Sequence, residues 1–251
     1  MTLGQGIRVV RRLESAEPAR RRRIRNMAAL FFLPTVAALA LAATGHWGAG
    51  VFDRLLELDL SLLVPLLPVL LLGPAIADEL ERGTAGFLFV RPVPRAALLL
   101  GRLAAALPTL LGAAVIGVLF SFGGLYAKFP DDLPRALPHL AGALLAVVAG
   151  LVLYALLALG LGVTFRKRPV ATLVVLLLAD GGLARLPLGL QLVAPAHHLR
   201  VVAGLPELSS WAPPFSVPYA ASIAYLLVLV AATAAFGASR MNRIEMTGEA
   251  T

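Results

Sequence analysis

Five stretches of this chain contain no acidic residue, lysine or arginine: 26–52, 60–77, 103–127, 136–165 and 208–239. A helix crossing a hydrocarbon layer ~30 Å thick needs about 20 consecutive, mostly apolar residues, and these stretches meet or approach that length. A weaker sixth stretch, 170–190, is interrupted by Asp180 and Arg185. Only 14% of the residues are charged and 59% are hydrophobic, whereas about a quarter of a soluble domain is charged. The predicted fold class is therefore an all-α polytopic membrane protein with six transmembrane helices. The absence of cysteine excludes disulfides and thiolate-bound metals and leaves the compartment open.

Topology accounts for the net charge of +8 better than nucleic-acid binding does. With six helices, seventeen of the 22 lysines and arginines fall in segments on one side of the membrane. Only Arg54, Lys128, Arg135, Arg185 and Arg200 fall on the other. Because cytoplasmic loops carry the excess of basic residues, both termini are expected in the cytoplasm and the chain in the cell inner membrane. No nucleic-acid partner is expected.

Three regions follow: a basic N-terminal segment (1–25), a transmembrane domain (26–239) and a cytoplasmic tail (240–251). In the first, Leu3, Ile7 and Val10 recur at helical spacing, with Arg8, Arg11 and Arg12 on other faces. Pro18 breaks the segment before "RRRRIR", 20–25. This pattern predicts a short amphipathic helix on an anionic membrane surface; the alternative is a disordered basic tail that serves topology alone. "ALALAATG", 38–45, imitates a signal-peptide cleavage site, but the charged lead-in is long and five more spans follow. Short outer loops are expected at 45–59 and 125–138. Residues 190–217 are too apolar for a solvated loop and too broken by proline for a span. Backbone at membrane depth must satisfy its own hydrogen bonds, so two short re-entrant or interfacial helices are expected, at 193–204 and 206–212. Trp211 and Tyr219 would anchor them at the interface.

The segment "ADELERGTAGFLFVRPVPR", 77–95, packs three acids, three arginines, two glycines and two prolines between two greasy stretches. Asp78, Glu79, Glu81 and Arg82 read as the polar start of a short helix, with acids near its N-terminus as the macrodipole favours. Gly83 and Thr84 permit a bend, Phe87, Leu88 and Phe89 form an apolar patch, and Pro92 and Pro94 stop any helix before the next span begins at Arg95. Composition alone allows either an ordinary inner loop or an amphipathic helix that docks on a soluble partner.

The wording of residues 76–105, "IADELERGTAGFLFVRPVPRAALLLGRLAA", resembles the first cytoplasmic loop of type-2 ABC transporter permeases. The matching features are the acidic pair Asp78-Glu79, the Gly83-Thr84 pair, and the Pro92-Val93-Pro94-Arg95 turn. Gly101-Arg102 stands where the family has Gly-Lys. The match is specific over about thirty residues; elsewhere it rests on the six-helix layout, the amphipathic N-terminus and the proline-broken stretch before the last helix. The resemblance implies an exporter subunit that pairs with a second copy or a paralogue and docks two separate ATP-binding subunits. It implies that Asp78, Glu79, Glu81, Arg82, Gly83, Thr84, Pro92 and Arg95 form the coupling loop (78–95) that meets the ATPase. No phosphate-binding Gly-x-x-x-x-Gly-Lys loop occurs in this chain, so ATP and Mg would belong to the partner, with no cofactor and no catalytic residue here. Membrane lipid is the remaining expected partner.

Two other readings can be weighed on particular residues. "DGGLAR", 180–185, matches the opening of the motif in membrane enzymes that transfer phospho-alcohols from CDP-linked donors. Their chemistry needs several carboxylates around divalent metals. Here Ala194, His198 and Val202 stand where the motif's glycine and two later aspartates belong, so that metal site is not assembled. Asp180, with Arg185 five residues on, then reads as either a polar helix end or a gating or substrate contact. Adjacent His197 and His198 diverge by about 100° on a helix, poor geometry for one metal, and no metal site is expected. A channel or structural subunit predicts the same hydropathy but gives no reason for the 77–95 pattern.

Overall fold

The computed structural model of the chain describes residues 2–45, 49–81, 94–127, 129, 131–164, 180, 190–205 and 217–242. Among these the secondary structure is helical, with no strand. Helix α1 (Leu3–Ala16) opens with a capping box: Gln5 N–H donates to Thr2 Oγ1, and Gln5 Oε1 accepts from the Thr2 N–H. Glu17 is extended and Pro18 begins α2 (Pro18–Ala29), where its missing N–H costs nothing. One 3₁₀ turn, Leu30–Phe32, leads into α3 (Leu33–Ala43), whose Pro34 crowds the carbonyl four residues earlier. Next come α4 (Ala49–Leu58), a π turn (Asp59–Leu63) and α5 (Val64–Glu81). The long helices α6 (Arg95–Tyr126) and α7 (Leu133–Thr164) follow. A 3₁₀ turn (Leu190–Val193), short α8 (Pro195–Ala203) and α9 (Tyr219–Asn242) complete the described chain.

Among the described residues, five helices are long and apolar enough to cross a membrane: Pro18–Ala43, Gly50–Gly73, Ala96–Tyr126, Leu133–Gly162 and Tyr219–Arg240. The expected helix over 170–190 lies outside the described residues except for Asp180 and Leu190, as does the second short fragment, 206–212, with Trp211. Within the first expected fragment, 193–204, a short helix, α8, runs over Pro195–Ala203.

Three boundaries differ from the sequence expectation. The basic run 20–25 is no separate lead-in, because α2 carries it in helical register into the first span. Residues 49–58 are helix rather than loop. Phe52 and Leu56, four residues apart, are buried on one face while Arg54 stays exposed, so charges end the charge-free window without ending the helix. Similarly α7 starts at Leu133, inside the expected 125–138 loop, with Pro134 in its first turn.

The second and fourth spans form the centre, 61% and 56% buried, against 33%, 28% and 22% for the first, third and last. Their contact depends on small residues: a methyl group on Gly162 would overlap the Gly73 carbonyl, and one on Gly150 would overlap Val64. The first and third spans are joined by hydrogen bonds, Thr35 Oγ1 to the Gly117 carbonyl (2.9 Å) and Ser121 Oγ to Thr35 Oγ1 (3.2 Å). Val36, Phe120, Leu227 and Val228 are each more than 60% exposed on the periphery. Water would penalise such a surface, whereas lipid tails accommodate it.

Candidate functional site

Polar side chains gather at both ends of the bundle. At the end carrying α1, the third span begins abruptly: Pro94 is the N-cap of α6, Arg95 its first residue, and Ala97 N–H donates to the Pro94 carbonyl at 2.8 Å. The second span overruns its apolar segment, since α5 continues to Glu81. Asp78, Glu79 and Glu81 therefore occupy the C-terminal end of a helix that began at Val64, not the start of a new one. The expected favourable macrodipole is reversed there, because a helix C-terminus carries partial negative charge. Helix runs on to Glu81 through Gly73 and Pro74, two residues that weaken a helix interior. Arg82, Gly83, Thr84 and Pro92 lie outside the described residues.

The same end explains the Gly101-Arg102 pair. A methyl group on Gly101 would lie 2.5 Å from Val10 Cβ and 3.2 Å from the Ile7 carbonyl oxygen. The glycine thus lets α1 lie directly on α6. Arg102 is only 4% exposed, and its Nε donates to Glu14 Oε1 at 3.2 Å. The other oxygen of Glu14 accepts from Arg20 Nη1, and Arg20 Nε lies 3.5 Å from Glu17. Arg23 Nη2 donates to the Leu70 carbonyl at 3.3 Å. One carboxylate thereby ties the amphipathic helix, the basic helix and the third span together.

The opposite end is built around α8. The N-cap of this helix, Ala194, has no side-chain acceptor, and Asp180 supplies one from elsewhere: its Oδ1 accepts from the Ala196 N–H at 2.8 Å. A carboxylate there also suits the positive end of the helix dipole. Asp180 thus holds the first turn of α8, while Arg185 lies outside the described residues. His198 is buried between Ser222 Oγ (3.1 Å) and the Leu192 carbonyl (2.8 Å) and stacks on Tyr225 at 3.9 Å between centroids. Tyr225 donates to the Val193 carbonyl at 2.6 Å. Arg200 pairs with Glu57 at 2.9 Å, and His139 with Asp53 at 2.8 Å. Gly204, at φ +69, closes α8 beside His139, a left-handed position that a larger residue would strain. No group of three potential metal ligands occurs among the described residues.

Two of these residues escaped sequence reading. Asp59 is 6% exposed within the second span, and its Oδ1 has no hydrogen-bond partner among the described residues. It opens the π turn, a feature often found at functional positions. The available signal was Pro65 six residues later, since a proline ring crowds the carbonyl four residues before it, here Ser61 within that turn. Glu14 was hidden as one acid in an arginine-rich segment. No protein-family model matches this chain, and no curated protein matches it significantly.

Proposed function

We propose that this chain is the membrane subunit of an ATP-binding cassette exporter, paired with a second copy or a paralogue and driven by two separate ATPase subunits. The observation that carries this reading is the 76–105 sequence, in which an acidic pair, Gly-Thr and Pro-x-x-Arg lie in order between two spans. Supporting it, the segment leaves from the overrunning acidic end of α5 and re-enters at the proline-capped start of α6. A push on residues 78–95 would be felt at once by two spans. It would reach α1 as well, since α1 is pinned at Gly101 and Arg102, less than two turns beyond Arg95.

In this reading Asp78, Glu79, Glu81, Arg82, Gly83 and Thr84 meet the ATPase, Pro92 and Arg95 stiffen the return, and ATP with Mg stays in the partner. Closure of the ATPase dimer rocks two permease halves, and an apolar or amphipathic cargo leaves past the α8 end. Both termini then face the cytoplasm and the chain resides in the inner membrane. The test is reconstitution with the ATPase partner. Glu79→Lys with Glu81→Lys, or Leu80→Pro, should abolish ATP-driven transport and co-purification of the ATPase while the chain still inserts. Normal transport by those variants, or transport by the wild-type chain with neither nucleotide nor a second polypeptide, overturns the reading.

A further inference from the structure

A groove of about 140 Å³ runs between α6, α7 and α9 at the α1 end of the bundle. Leucines of α6 and α7 wall it on two sides, among them Leu99 and Leu159. On the third side α9 contributes only Thr233, Ala234, Gly237 and Ala238, whose side chains are too short to fill the space between the helices. Chemistry restricts what can enter. Thr233 carries the one hydroxyl in the lining, and it already donates to the Val230 carbonyl at 3.0 Å. A water held there would need two to four polar partners, so the groove favours an apolar occupant. Depth sets the medium. In α6 the lining starts at Ala96, the first residue of the third span, and ends at Leu103, about 10 Å along the helix. In α9 it ends at Ala238, two residues before Arg240 closes the last span. The groove therefore opens at the membrane boundary and runs into the hydrocarbon, which is the path of an acyl chain. Arg240 adds charge complementarity at that boundary. It is exposed, its guanidinium lies 5.3 Å from the centre of the Phe236 ring, and no carboxylate pairs with it among the described residues. A cation in this position attracts a lipid phosphate.

We propose that this groove holds one acyl chain of a glycerophospholipid from the leaflet at the α1 end, with the lipid phosphate beside Arg240. A helix of a second copy, about 10–12 Å across with its side chains, is too wide to enter a space of this volume and could only lie over it. A soluble ligand would have to cross the headgroups to reach a groove that offers it no unused donor. The bound chain completes the packing of the last span, the least buried of the five at 22%, against α6 and α7. The site rests on the membrane reading alone, so it stands or falls independently of any ATPase.

The test reconstitutes the full-length chain in vesicles of phosphatidylglycerol, a fraction of it carrying a diazirine at mid-chain. The protein is then washed into neutral detergent and irradiated, and the adducts are mapped by mass spectrometry. Retained lipid should mark residues 96–103, 156–159 and 233–238, while Phe120 and Leu227 on the exposed periphery should carry no adduct. Ala238→Phe, which fills the groove, should abolish retention, and Arg240→Gln should weaken it about five-fold. Inorganic phosphate and dihexanoyl phosphatidylglycerol, whose chains are too short to fill the groove, should not displace the retained lipid. Should Ala238→Phe lower the unfolding temperature without lipid, Arg240→Gln, at an exposed position, still must weaken retention. Adducts spread evenly over the periphery, or unchanged retention in Arg240→Gln, would reduce the lipid to the ordinary surrounding layer and overturn the site. Ala238→Cys gives a chain without cysteine a single thiol beside the groove. Disulfide-linked dimers formed through it in vesicles would place a second copy over the groove and overturn the lipid assignment.

Discussion

At the α1 end, one carboxylate, Glu14, is shared between a buried arginine of the third span and an arginine of α2; at the α8 end, each polar pair has its own two members, beside hydrogen bonds to backbone. Arg102 and Glu14 are 4% and 11% exposed, whereas His139 and Asp53 are 24% and 26% exposed, and Arg200 and Glu57 are 12% and 34% exposed. The difference has energetic consequences. Removing one partner of a buried pair leaves a charge without its solvation and costs about 3–5 kcal/mol. An exposed pair has a median worth of about 0–1 kcal/mol. The α1 end is thus a joint whose loss propagates, while the α8 end is a set of small, separable contributions around one short helix.

Glu14→Ala tests the first half of that contrast most severely. It removes the acceptor shared by Arg20 and Arg102, and a loss of about 3–5 kcal/mol is expected, measured as unfolding in a mild detergent series. A loss below 1 kcal/mol would make the two ends equivalent. Gly101→Leu should follow at about 1–3 kcal/mol, as expected of overpacking. Because its side chain must displace Val10, limited proteolysis should cut α1 faster while the spans stay protected. At the other end, Asp180→Ala removes the cap of α8 and should cost about 1 kcal/mol, with hydrogen exchange rising at Ala196 before anywhere in α9. The smallest effect belongs to Asp53→Asn, which should change stability by less than about 1 kcal/mol. A larger change there would show that the α8 end also has a load-sharing ion pair.

Much of the fold was legible because partition into a bilayer is a local property. Pro18 separated α1 from α2 as the residue types require, and Pro94-Arg95 opened the third span where proline permits a first turn and nothing earlier. Charge-free windows located five spans yet misplaced their ends, because Asp53, Arg54 and Glu57 ride on the polar side of a helix that continues. The acids at 78–81 misled in the opposite sense. Their types suit a helix start, but the chain had already been helical since Val64.

The candidate site was less legible. Arg102 reads in sequence as one more inner-facing cation, yet it is buried, and its partner Glu14 lies 88 residues away. Asp180 reads as a carboxylate inside a membrane and turns out to cap a helix 16 residues on. The π turn at Asp59 has only a proline to announce it.

The amino-acid order by itself determined that this is a chain for a membrane and where most of its spans run. Those properties are sums over about 20 adjacent residues, so adjacency suffices to read them. Tertiary structure alone decided what each rare polar side chain is for: Glu14 and Arg102 as a joint, Asp180 as a cap, Gly73 and Gly162 as a seam. In a medium without water a polar group must be matched within the protein, and which group lies opposite is known only once helices far apart in the chain have packed.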